Sequence, residues 1–490
     1  MRRTSRHPIR LGILPLLAAA LSGCSSMPDP MGWFEADNQE PPAELTDYQP
    51  AIRPTTRWSM DSGAGSEEQY LKLVLAFYHD RILVADSEGQ VRSLNIATGQ
   101  TGWSRETETP ISGGPGAGEG VVLVGTRDAE VIALDADDGE ELWRKRLSSE
   151  ILSVPWVEGS IAVVRTIDGR VYGLDTESGE QSWVYDRSVP VLTLRGDSSP
   201  VVYGSNVIVG FANGKLVNID LYSGDPRWET LVTPPRGRTE LERIADIDAD
   251  PLVADGVIYV CTFQGEVAAV SLDNGVVLWR HGISSHTGMA ADSRYIYVTD
   301  TKDRVWALDR RNGAALWKQE KLLNRRLTAP AVLDDYVLVG DLEGYVHFLS
   351  YDDGSQLGRI DVSSAPISAT PQVVDGIAYV YSDDGKVTAL TLGSVEYSDE
   401  AEEDVWDDDE SEDEEETRYF WESDDEEESD YEEESDYEEE SDDAEESDYE
   451  EESDDEEESD YEEESDYEEE SDDTTESGEP TERFLPPLKF

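Results

Sequence analysis

The sequence predicts an all-β fold: an eight-bladed β-propeller closed by an N-terminal strand, with a disordered acidic tail behind it. Three observations predict it. First, one phrase is rewritten along the chain: "VRSLNIATGQTGWSRE", "VIALDADDGEELWRKR" and "VYGLDTESGEQSWVYD" begin 40 residues apart. Second, aligning the units on the apolar residue after their turn gives Val91, Val131, Val171, Leu216, Val267, Val305, Val346 and Val387, at intervals of 40, 40, 45, 51, 38, 41 and 41. Self-similarity at this period marks a solenoid or a propeller. Third, each unit sets apolar runs between short turns such as "IDGR" and "TESGE". Such turns are hairpin signals, because the favoured geometry needs positive φ.

Charge divides the chain in two. Of its 490 residues, with a net charge of -73, the last hundred hold 55 acidic and 3 basic residues, a net of -52. The remainder holds 56 acids and 35 bases, a net of -21. A moderately acidic body therefore precedes a polyanionic tail. Neither has the basic footprint that nucleic-acid binding requires.

Residues 1–23 read as an export signal. Arg2, Arg3, Arg6 and Arg10 lead into "LGILPLLAAAL", an apolar core too short to span a bilayer. Leu21-Ser22-Gly23-Cys24 resembles a bacterial lipobox, in which Cys24 carries a thioether-linked diacylglycerol and becomes the first mature residue. Ser25 follows, and the absence of Asp there implies sorting to the outer membrane. More than one acyl chain makes such attachment firm. Residues 24–50 are Pro-rich and aperiodic, as suits a lipidated flexible tether. With Cys24 lipidated, Cys261 has no disulfide partner. Its setting, "VIYVCTF", reads as a β-strand in which it is a small buried hydrophobe.

The body runs over 51–393. Each unit supplies four antiparallel strands, the first short, as in "SVPWVE", and the last bearing the tryptophan. Four-stranded units of this length stack radially as propeller blades. Trp103, Trp143, Trp183, Trp228, Trp279 and Trp317 each stand four residues after a glycine: Gly99, Gly139, Gly179, Gly224, Gly275 and Gly313. Their expected place is across the seam between blades, where an indole buries a large area. The seventh unit has Gly358 instead, so its seam is weaker or filled otherwise. The eighth stops before its last strand, and "TTRWSM", with Trp58, resembles the missing piece. Borrowing it closes the ring and hides open edges. If Trp58 is unused, the count is seven.

Together with "TTRW", the segments "SVPVLTLRGDSSP" and "ERIADIDADP" give the chain its resemblance to a family, from about Pro54 to Leu392. It is similar to the PQQ-like-repeat propellers that serve as lipoproteins of the outer-membrane β-barrel assembly (BAM) machinery. The resemblance implies a non-catalytic scaffold on the periplasmic face, with no cofactor. Its implied partner is the POTRA region of BamA, and its role is to support folding and insertion of barrel proteins. The alternatives are a quinoprotein-like dehydrogenase and an adaptor of another envelope complex.

Spacing points to the same segments. From each tryptophan to the opening residue of the next blade the gap is 10 to 13 residues, except 17 (Trp183 to Pro200) and 23 (Trp228 to Pro251). Both long connections join a last strand to a first strand, so they emerge on one face, about 45° apart in an eight-fold ring. Long loops on a rigid scaffold commonly hold function. The first contains Leu192, Leu194 and Arg195, the second Asp246 and Asp248. Apolar anchors with charges to fix register suit an interface, and the resemblance implies contact with BamA at these five. The alternative is internal packing, with Asp246 paired to Arg243 or Arg195. Thr239 and Glu242 begin a capping box, so a short helix is expected there. Nascent barrel proteins could also add a strand to an exposed blade edge.

Quinoprotein dehydrogenases hold their quinone with Ca²⁺, a stacking tryptophan and usually a vicinal cysteine pair. This chain has no Cys-Cys pair and no recognisable calcium-ligand set. Trp156 and Trp306 stand outside the seam series without such partners. Of its five histidines only His281 and His286 are close, at a spacing that matches no usual zinc motif. No catalytic or metal residue is therefore assigned.

The tail, 394–490, repeats "SDDEEE" or "SDYEEE", once "SDDAEE", from Ser423 to Glu470. Self-repulsion and few apolar residues preclude a packed core. It reads as a solvating polyelectrolyte, with weak divalent-cation capture or contact with a basic partner as sharper options. The final "RFLPPLKF" has the composition of a short docking motif.

Overall fold

The computed structural model describes residues 40–393, apart from 68, 187–197, 237 and 240. Cys24, Leu192, Leu194, Arg195 and the acidic tail lie outside the described residues.

Eight antiparallel sheets follow one another around a ring, and seven take their four main strands in sequence order. They span 76–106, 111–146, 156–185, 201–231, 252–281, 289–319 and 331–361, and are blades 1 to 7. Blade 8 combines 372–393 with strand β1 (Arg53–Asp61). In it β1 pairs antiparallel with Lys386–Gly393, placing Trp58 opposite Ala389. The N-terminal strand thus closes the ring, and the count is eight. The short first strands of neighbouring blades meet around the axis. The second and third strands are almost wholly buried, as in Ile161–Arg165 and Val171–Asp175. Continuous apolar runs are what a strand covered on both faces requires. The core lies between blades: Leu123 and Val131 of blade 2 pack with Val164 and Leu174 of blade 3 in one cluster.

The tryptophans occupy the seams. A β-bulge precedes each of them on the last strand, as between Gln181 and Trp183, and turns the indole toward the next blade. There it covers a glycine in the turn before that blade's last strand. Trp143 lies on Gly179, where a Cβ would come within 2.5 Å of the indole and φ is +69°. The same pairing joins Trp58 to Gly99, Trp103 to Gly139, Trp183 to Gly224, Trp228 to Gly275, Trp279 to Gly313 and Trp317 to Gly354. Each indole N–H also donates to a carbonyl beside that turn, Trp183 to Leu221 at 2.8 Å and Trp103 to Ala136 at 3.0 Å. Apolar burial and a satisfied donor coincide, as a buried indole requires.

The eighth seam differs. Gly358 keeps the bulge, but Ile52 and Pro54 fill the place of the missing indole. The Leu357 carbonyl accepts hydrogen bonds from the amides of Ala51 (2.8 Å) and Ile52 (3.2 Å). The preceding residues, expected as tether up to position 50, are bound to the body. Ala43 N–H donates to the Leu323 carbonyl at 2.8 Å, and Arg325 Nη1 to the Ala43 carbonyl at 2.9 Å. Arg359 donates to the Thr46 carbonyl at 3.1 Å and lies over the Tyr48 ring. A polar, aperiodic segment can still dock through its backbone, and here it does so over blade 7.

Cys261 lies in the second strand of blade 5 and is fully buried. Burial pushes its thiol up to about 12, outweighing a hydrogen bond with Ser285. It packs as a small hydrophobe, as its β-rich setting predicts.

Candidate partner-docking face

Strand order fixes two unlike faces. Hairpins between first and second and between third and fourth strands share one end of the blades with the Trp–Gly seams. Turns between second and third strands share the other end with the connections from blade to blade. The second face carries both long connections, 186–200 and 232–251.

The base of the first is held from below. Arg165, at the end of blade 3's second strand, is buried and donates through Nη1 to the carbonyls of Ser198 (2.8 Å) and Gly210 (2.6 Å). Its guanidinium stacks 4.9 Å from the Phe211 ring centroid. Ser199 Oγ accepts from the Val154 amide at 3.0 Å. Leu192, Leu194 and Arg195 belong to the part of this loop outside the described residues.

The second loop is a packed structure. Its expected helix is one 3₁₀ turn, Leu241–Arg243. Ile244, Ala245, Ile247 and Ala249 are buried, and Ile247 lies against Gly210, where a Cβ would meet it at 2.2 Å. Asp246 is only 2% exposed. Its Oδ1 accepts from the Asn213 amide at 3.1 Å, and its carbonyl accepts from Phe263 N–H at 2.9 Å. Asp246 thereby ties the loop to blade 4's turn and to blade 5. Asp248, two residues on, is half-buried and is the more accessible of the two.

The loops meet at their ends. Asp250 accepts from the Ser199 amide, so the C-terminal ends of both connections are joined directly. Asp250 also pairs with Lys72. Lys72 belongs to β2 (Lys72–Leu73), a strand with no counterpart in the repeat, which pairs in parallel with Gly113 and Gly114 of blade 2. The insert 62–75 carrying it crosses the same face. Ser66 N–H donates to the Asp383 carbonyl of blade 8, and the Gly65 carbonyl accepts from Ser87 of blade 1. Arg127 of blade 2 donates to Gln69. Sequence reasoning passed over both Arg165 and this insert. The readable signal was a lysine inside the apolar run "YLKLVL".

Among the described residues no three of His, Cys, Asp and Glu gather as a metal could use them. A narrow recess of about 240 Å³ lies beside the second loop, lined by Thr233, Arg236, Ile244, Gln264 and Glu266 among others.

Comparison with known proteins agrees with this architecture. The family model for outer membrane protein assembly factor BamB matches residues 87–319 and 313–416. The chain is 49% identical to that factor from Pseudomonas aeruginosa over 376 residues, covering 77% of this chain and 97% of the relative. It is 48% identical to the one from Alkalilimnicola ehrlichii over 392 residues, covering 80% and 98%. The crystal structure of BamB from Moraxella catarrhalis superposes with a TM-score of 0.64 at 28% identity, covering 69% of this chain and all of that one. A quinohemoprotein alcohol dehydrogenase from Comamonas testosteroni shares the fold alone, with a TM-score of 0.55 at 14% identity over 69% of this chain and 76% of the enzyme. The relatives carry the name of an assembly factor and not of an enzyme. The chain belongs to the BamB family of outer membrane protein assembly factors.

Proposed function

We propose that this chain is a non-catalytic scaffold of the outer-membrane β-barrel assembly complex, anchored through lipidated Cys24 on the periplasmic face, and that its loop face binds the POTRA region of BamA. One observation carries the reading: the two over-long connections are joined, Ser199 to Asp250. Residues on separate blades can thus act as one surface. Leu192 and Leu194 are the apolar anchors, Arg195 the cation that fixes register, and Asp248 its half-buried acidic counterpart. Asp246, nearly buried, serves by holding the second loop against Asn213. An interface of this kind draws most of its energy from a few central anchors. The names of the relatives support the setting, and a closed wheel whose long connections are joined at their ends suits a scaffold.

The test is co-purification of BamA with the full-length chain from solubilised outer membranes. Arg195→Glu should lower the recovery of BamA at least tenfold without lowering the level of folded protein. Recovery at the wild-type level would overturn the reading. Cys24→Ser should move the chain from the membrane to the soluble periplasmic fraction.

A further inference from the structure

The insert 62–75 stands outside the four-stranded repeat. It crosses the face that bears both long loops, and it is held there at both ends. Its start is bonded to blades 8 and 1 through Ser62, Ser66 and Gly65. Its end is fixed by β2 on blade 2 and by the pair between Lys72 and Asp250. Leu73 and Leu75 beyond it are buried in the core.

Between these anchors stands Tyr70, 66% exposed and the most exposed large hydrophobic among the described residues. Its backbone neighbours are engaged: Gln69 N–H donates to the Ser66 carbonyl, and Leu71 N–H to the Gln69 carbonyl, both at 2.9 Å. Two residues on, the pair between Lys72 and Asp250 brings this part of the insert to the second loop, and desolvation and then the charge of Asp248 push the Tyr70 phenol above the ordinary tyrosine range. An aromatic ring left open on a segment tied to the second loop through Lys72 and Asp250 has the make-up of an interface anchor. It offers large contact area and little conformational entropy to lose.

We propose that Tyr70 is a third element of the partner-docking surface, an aromatic anchor that the 62–75 insert adds beside Asp248. The Lys72–Asp250 pair holds it in register with the two loops. The inference rests on the reading that the loop face binds the POTRA region of BamA. The surface it implies on that partner is a shallow apolar recess bordered by a hydrogen-bond donor or a cation, which meets the ring and the Asp248 carboxylate together.

A photo-crosslinking residue, p-benzoylphenylalanine, placed at position 70 or at position 195 of the full-length lipoprotein in cells tests it. Both positions should crosslink to BamA. Tyr70→Ala should reduce co-purified BamA at least about fivefold, whereas Tyr70→Phe, which keeps the ring, should retain most of it. Both variants should melt at the wild-type temperature. A crosslink at 195 with none at 70, and Tyr70→Ala binding as wild type, would overturn this inference and leave the loop reading standing. No crosslink at either position would overturn the loop reading and this inference with it.

Discussion

The Trp–Gly seams and the loop face are built on opposite principles. At the seams one device recurs seven times: a bulge, an indole, a glycine and a carbonyl, each set joining consecutive blades. On the loop face the repeat is broken at three places. Blades 3 to 5 carry long connections, blades 8 and 1 anchor an insert, and Asp250 draws segments far apart in sequence to one point. Stability in this molecule is spread over seven like seams and one that differs, while on the reading proposed above recognition is gathered at one irregular place. Damage to a seam should therefore cost stability and spare binding, and damage to the face should do the reverse.

The largest effect is expected at a seam. Trp183→Ala removes a buried indole and its bond to Leu221, and should lower unfolding free energy by about 3–5 kcal/mol in denaturant titration. At temperatures where the variant stays folded, it should bind BamA as the wild type does. Next in size is Arg195→Glu, with at least about a tenfold loss of affinity, or roughly 1.4 kcal/mol, and an unchanged melting curve. The eighth seam sharpens the contrast, because Ile52 replaces the indole there and is only half-buried. Ile52→Ala should cost less than the tryptophan substitution, about 1–2 kcal/mol, since the backbone bonds to Leu357 survive. The smallest effect is at Cys261. A fully buried thiol pushed up to about 12 should resist alkylating reagents at pH 8 until the blade unfolds, as mass spectrometry of a Cys24→Ser chain would register.

The seams were legible in the sequence and the face was not, for the same physical reason. A tryptophan, a turn and a glycine lie within one phrase, and six repetitions amplify the signal. Trp58 could be assigned to the last blade because it repeats the last-strand phrase, although its strand partner lies more than three hundred residues away. The docked segment 43–52 gave no such clue, because it binds through main-chain groups that any sequence could offer. Asp246 reads in the sequence either as an interface acid or as a partner of Arg243 or Arg195. Its burial depends on an amide of Asn213 supplied by another blade. Lys72 and Asp250 are 178 residues apart, and only closure of the ring brings them together. What the gap counts could reveal was where the repeat is broken, and the structure joins the two broken places.

The most direct test of this division of labour is the affinity of the purified POTRA region of BamA for the full-length chain, measured side by side for wild type, Arg195→Glu and Trp183→Ala. The account predicts that Arg195→Glu binds at least tenfold more weakly with its melting temperature intact, while Trp183→Ala binds normally despite melting earlier. Wild-type affinity in Arg195→Glu, or loss of binding in a fully folded Trp183→Ala, would contradict it.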